Sequence, residues 1–134
     1  MRAMTMTMAL ILSLTAGIAS AKPHLRDVPE IDGTILAIGI ADEIRKHCPS
    51  ISARMFRALS VANGLKARAR NLGYSDEEID AYRKSDAERE RLKAKRRAYL
   101  KQGGVTAGQP ASYCVLGREE IKKGGQIGAL LRMN

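Results

Sequence analysis

Two cysteines, Cys48 and Cys114, stand 66 residues apart behind an N-terminal segment shaped like an export signal. Arg2 gives a weakly positive start, Met8 to Ala16 is a short apolar run, and Ala19-Ser20-Ala21 has the small-x-small pattern a signal peptidase reads. The run is too short for a spanning helix, which needs about 20 apolar residues. Residues 1–21 are therefore expected to be a cleaved signal peptide and residues 22–134 a single helical domain exported to the periplasm. The competing reading is an N-terminal anchor that stays attached. Position 22 is Lys rather than Cys, so no lipid anchor is expected there. In an oxidising compartment an even pair of cysteines reads as a disulfide. Closing a loop of this length stabilises by about 4 kcal/mol, against a typical total of roughly 5–15. With only Phe56, Tyr74, Tyr82, Tyr99 and Tyr113 as rings and no Trp, the cross-link is a large part of what holds such a chain. Free thiols or metal ligation are the minority readings of the two sulfurs.

Cleavage leaves 113 residues, enough for one modest core and not two. All 14 acidic residues and 22 of the 23 basic ones fall in that part, for a net charge near +8. Such a surface favours acidic partners: anionic headgroups, acidic polymers, acidic protein faces. Export removes nucleic acid from that set, so none is expected. No later segment is long and apolar enough to span a membrane.

The periodicity predicts an all-α fold, a small bundle of four to five helices with one disulfide. Lys22 to Glu30, with Pro23 and Pro29, reads as an extended lead-in. From Ile31, apolar residues recur at three-and-four spacing through Ile44, with Asp32 able to cap the start and Pro49 stopping the helix. A strand over the isoleucine-rich Ile35 to Ile40 is the competing assignment. Ile51, Met55, Ala58, Leu59, Ala62, Leu65, Ala69 and Leu72 share one stripe and predict the central core helix, starting after Ser50 and ending at Gly73. Ser75 with Glu78 is a capping box, with Tyr74 and Ile79 as a hydrophobic staple. Ser85 with Glu88 repeats the box, so residues 76 to 102 are either one helix or two meeting at Ser85. Pro110 suits the first turn of a last long helix reaching about Lys123, closed by Gly124-Gly125. The tail offers Ile127, Leu130 and Leu131 for one apolar helical turn.

Sites of chemistry are sparse. His24 and His47 are the only histidines, too few and too far apart for a zinc site, and there is no haem attachment motif. No metal, cofactor or catalytic residue is assigned. Ser50, Ser52, Ser75 and Ser85 are read as helix caps. Glu78, Glu119 and Glu120 are the carboxylates an enzyme acting on cell-envelope polymers would have to use. The segment Lys123 to Gly128 lacks phosphate-loop spacing. Two features carry a binding expectation. Arg83 to Lys101 holds nine basic and three acidic residues, and Arg83, Lys84, Arg89, Lys93, Arg96, Arg97 and Lys101 are its candidates for an acidic protein or an anionic membrane surface, with an ordinary solvated helix as the alternative. Ile127, Leu130 and Leu131 either pack back on the core or insert into a partner's groove.

Leu25 to Asp32, Ile38 to Arg45, Cys48-Pro49, Ile51 to Met55, Leu72 to Ser75 with Glu78-Ile79, Cys114 to Ile121 and Ile127 to Arg132 together resemble a family of small uncharacterised exported proteins of alphaproteobacteria, known only as a domain of unknown function. The resemblance implies an exported chain with both cysteines kept, and brings no known activity and no assigned site. The function expected is thus a non-enzymatic periplasmic protein that binds an acidic partner or membrane-associated complex through its basic helix.

Overall fold

A computed structural model describes residues 21–134; the expected signal peptide lies, but for Ala21, outside them. The lead-in is not fully extended. Leu25–Asp27 makes a 3-10 turn that buries Leu25. Helix α1 then spans Pro29–His47, two residues earlier than the apolar periodicity suggests. Pro29 sits in the first turn, where its missing N–H costs nothing, and no side chain caps the start. Asp32 is thus not the cap. It lies within the first turn and is buried. Arg45, Lys46 and His47 close the helix against its negative end, and Cys48 leaves it in extended backbone before Pro49.

The expected helix from Ile51 to Leu72 is overturned at its start and in its role. Ile51–Ala53 is a short strand, β1, antiparallel to β2 (Leu131–Met133), with Ile51 opposite Met133 and Ala53 opposite Leu131. Ser50 and Ser52 consequently cap nothing. Ser50 Oγ lies 3.3 Å from Cys48 Sγ, and the Ser52 hydroxyl bonds Asn134. Helix α2 spans Met55–Asn71 and buries only Ala69. The central helix is α1, whose Ile31, Ala37, Ile40, Ala41 and Ile44 are buried. Side-chain area explains the exchange. The stripe of α2 rests largely on Ala58, Ala62 and Ala69, whereas that of α1 is isoleucine, and burial stabilises by about 25 cal/mol per Å² of apolar surface.

Helix α3 (Asp76–Lys84) begins with a complete capping box. Ser75 Oγ accepts the Glu78 N–H at 3.1 Å and the Glu78 carboxylate accepts the Ser75 N–H at 2.7 Å. Tyr74 is buried in the cluster that Ile79 packs against. Extended backbone at Ser85 separates α3 from α4 (Asp86–Gln102), so residues 76 to 102 form two helices. The second box is only half made. Ser85 accepts the Glu88 N–H at 3.3 Å, while the Glu88 carboxylate is drawn to arginines. Helix α5 (Pro110–Lys123) ends at Gly124 in the left-handed region. The tail forms a 3-10 turn, Gly128–Leu130, before entering β2.

The main core joins α1, α5 and the tail through Ile40, Ile44, Ile51, Leu116, Leu130 and Leu131. At Gly117 an added Cβ would lie 2.4 Å from Ile51 Cδ1 and 2.7 Å from Ile44 Cγ2, and at Gly128 1.9 Å from the Glu120 carbonyl oxygen. Only hydrogen fits at either contact. The disulfide joins Cys48, at the end of α1, to Cys114 in α5, with Cα atoms 5.1 Å apart. Ile127, Leu130 and Leu131 are 8, 4 and 3 % exposed. The tail therefore packs back on the core, and its apolar side chains are not presented to a partner.

Candidate binding groove

The site is built on a buried ionic cluster that docks α4 against α1. Asp32 receives hydrogen bonds from Arg91 Nη2 at 2.5 Å, Lys95 Nζ at 2.8 Å and the Tyr82 hydroxyl at 3.1 Å. Burial alone would push its carboxyl up, but the donors from Arg91, Lys95 and Tyr82 outweigh that and hold it at about 2. Glu88, also buried, accepts from Arg91 Nε at 2.8 Å and from Arg26. Donation to Asp32, with Glu88 adding to it, raises the affinity of Arg91 for its proton. Burial and the bond to Asp32 push the Tyr82 phenol up to about 12. The described residues contain no buried side-chain polar atom without a partner, which a buried charge cluster requires. Sequence reasoning missed this cluster. Its signals were an acid, Asp32, set among isoleucines, and Glu88 standing three residues before Arg91.

Arg91 and Lys95 are thereby committed to structure, and other cations of α4 line an opening beside them. Ile35, Leu36 and Ile38 of α1 and Leu92 of α4 line two adjoining cavities of about 450 and 580 Å³ that share Ile35, Ile38, Arg89 and Leu92. The first extends beneath α2 and α3 to Leu65, Ala69 and Ile79. Its sides bring in Lys66, Arg83 and Arg89, and the second adds Lys93 and Arg96. Arg89, Lys93 and Arg96 recur at four-and-three spacing and so share one face of α4. An added Cβ at Gly39 would meet the Arg96 guanidinium at 3.2 Å, so Arg96 lies close against the bare backbone of α1 there. The result is an apolar floor bordered by five cations and by the carboxylates of Asp80, Asp86, Glu88 and Glu90.

Those cations are lightly held. Arg83 is 3.3 Å from Asp80, Lys93 3.7 Å from Glu90 and Arg96 3.6 Å from Glu43, and Arg89 pairs with the exposed Asp86. The exposed pairs of Arg83, Arg89 and Lys93 contribute roughly 0–1 kcal/mol each, whereas Arg96 and Glu43 are each partly buried. Of the residues expected to bind a partner, the fold brings Arg83, Arg89, Lys93 and Arg96 to the groove. Lys84, Arg97 and Lys101 are exposed but line neither cavity.

The carboxylates weighed for catalysis are not brought together. Glu78 serves the α3 cap and pairs with Lys22 at 2.7 Å. Glu120, on α5, is buried and accepts from the Tyr99 hydroxyl at 2.6 Å; burial and this bond push that phenol up to about 12. Neither Glu119 nor Glu120 lines the clefts described. His47 stacks on Tyr113 with ring centroids 4.5 Å apart and lies 3.4 Å from Glu43. Among the described residues, no three metal-binding side chains gather.

A family model described as "Family of unknown function (DUF5333)" matches residues 23–132. No curated protein and no solved structure matches the chain.

Proposed function

The chain belongs to this DUF5333 family of unknown function, and from its own residues we propose that it is a non-enzymatic binding protein of the periplasm. Its α1–α4 groove receives an acidic, amphipathic segment of an envelope protein. The observation that carries the reading is the apolar floor of Ile35, Ile38 and Leu92 beneath Arg83, Arg89, Lys93 and Arg96. Apolar side chains of the partner displace water from the floor, and its carboxylates exchange with Asp80, Asp86 and Glu90 at the rim. Electrostatic complementarity of this kind sets the encounter rate and the choice of partner more than raw affinity. Export, with residues 1–21 as the leader, belongs to the same proposal. It is supported by the pattern of that segment and by the long-range disulfide, a bond suited to an oxidising compartment.

A cross-linked pull-down from the native envelope tests it, with R89E/K93E as the comparison. Specific capture by the wild-type protein that weakens as salt rises from about 0.05 to 0.5 M, and fails with the reversed charges, is the expected result, because screening contracts electrostatic reach. Capture indifferent to both would overturn the groove as the site. Intact-mass analysis of protein recovered from its host tests the leader; residues 1–21 still attached would refute export with cleavage.

A further inference from the structure

Among the described residues, helix α2 leaves apolar surface that nothing covers. Phe56, the only phenylalanine, is 93 % exposed, and Met55 and Leu59 are 65 % and 61 % exposed. At about 100° per residue, all three fall within roughly 100° of arc on the outer face of the first two turns. That face opposes the side on which Ala58, Val61, Leu65 and Ala69 meet the protein.

The chemistry around the patch is one-sided. From Ile44 to Ser75 the chain contains no acidic residue. Within α2, Arg68 pairs with Glu30 and Arg70 with Asp76, while Arg57, like Arg54 just before the helix, is exposed and forms no ion pair among the described residues. Shape narrows the partner further. Met55, Phe56 and Leu59 line none of the clefts described; they stand on a helix crest. A folded protein needs matching relief to cover such a crest, whereas a fluid bilayer closes around it. A second copy is disfavoured by charge, since pairing two faces that each carry Arg54 and Arg57, in a chain with net charge +9, sets like charges against each other.

We infer that the first two turns of α2 form a membrane-docking face, with Met55, Phe56 and Leu59 entering the headgroup–acyl boundary of an anionic phospholipid bilayer and Arg54 and Arg57 meeting its headgroups. An amphipathic helix lying in the interface works in this way, combining buried apolar area with attraction to anionic lipid. The surface is separate from the α1–α4 groove and leaves it free for a protein partner.

The absence of tryptophan makes a clean reporter available. F56W, purified after expression of the whole 134-residue chain, carries a single indole. Its emission shifts to the blue with vesicles containing phosphatidylglycerol and stays near its solvent value with phosphatidylcholine alone. Co-sedimentation with the anionic vesicles falls about tenfold or more for each anchor replaced in F56S and L59S, the share expected when a large apolar side chain leaves water. R57E, which alters charge without touching the apolar residues, weakens binding and reduces its dependence on salt. All these side chains are exposed, so the variants should keep the wild-type circular dichroism; any that does not is replaced as evidence by R57E. An indole that stays in water with anionic vesicles would overturn the inference. So would a blue shift that rises with protein concentration in the absence of lipid, which marks self-association, or an equal shift with soluble polyglutamate, which marks an acidic polypeptide partner. Loss of vesicle binding in R89E/K93E but not in F56S/L59S would assign the membrane contact to the groove instead.

Discussion

Arg91 of α4 straddles two buried acids, giving Asp32 of α1 a hydrogen bond at 2.5 Å and Glu88 of its own helix one at 2.8 Å. A guanidinium presents its donors in a fixed plane, so serving two carboxylates at once sets how α4 lies on α1. The groove follows from that placement. Arg89 and Lys93, two positions before and after Arg91, fall on nearly the opposite side of α4 and border the opening over Ile35 and Ile38.

Removing the acid at the centre tests this arrangement. Asp32→Asn keeps the shape but leaves Arg91 and Lys95 without that negative partner. Breaking a buried pair costs about 3–5 kcal/mol, and the lower end, about 3, is expected because Glu88 still holds Arg91 and Lys95 can reach water. Urea unfolding measures it. A loss below about 0.5 kcal/mol, the size of an ordinary surface change, would mean the cluster does not hold the helices together.

The same residue gives the protein an acid limit. Asp32 is held at about 2 against an ordinary 3.8, so the folded state binds this proton more weakly than the unfolded one. Its contribution is complete above about pH 4 and is lost as pH falls towards 2. The stability difference between wild type and Asp32→Asn should therefore be level from neutral pH down to about 5 and shrink between 4 and 2. A constant difference through that window would show that the carboxyl is not depressed.

Two phenols set a limit at the alkaline end. Tyr82 and Tyr99 are raised from 10 to about 12 by burial and by their bonds to Asp32 and Glu120. A raised folded value means the stabilisation is present below pH 10 and disappears as pH climbs through 12. Ultraviolet titration of the four tyrosines should show two ionising late, in step with unfolding. Replacing either with Phe removes one late step.

Reduction should be costly. The Cys48–Cys114 bridge closes a separation of 66 residues, which corresponds to about 4 kcal/mol in the chain-entropy account. C48S/C114S is expected to lose about that much, read as a drop in thermal midpoint that added reductant does not deepen. An unchanged midpoint would mean the bridge forms without holding the fold.

Two helical glycines should respond in opposite directions. Gly117→Ala places a methyl group against Ile44 and Ile51 and should destabilise by about 1–3 kcal/mol. Gly33 lies within α1 with nothing within 4 Å of its missing Cβ, so Gly33→Ala should stabilise by about 0.5–1 kcal/mol. Denaturation of the two variants side by side measures both.

What could be read from residues alone was what local physics dictates: helices over most of the chain, the Ser75 capping box, the helix starting at Pro110 and ending before Gly124, and the bond between the two cysteines. Those signals act within a few residues or, for the sulfurs, leave only one possible pairing. Tertiary structure decided which apolar stripe would be central. The stripes of α1 and α2 have the same period, and only packing reveals that isoleucine side chains fill the middle while Met55, Phe56 and Leu59 stay outside. It also decided which charges on α4 remain available. Arg91 looks no different from Arg89 along the chain, and only the approach of Asp32, 59 residues away, draws it into a partly buried ion pair. The tail was decided in the same way. Its three apolar residues suited a partner as well as a core until Gly128 allowed the tail to close on the Glu120 backbone, because a contact measured in tenths of an ångström leaves no trace in periodicity.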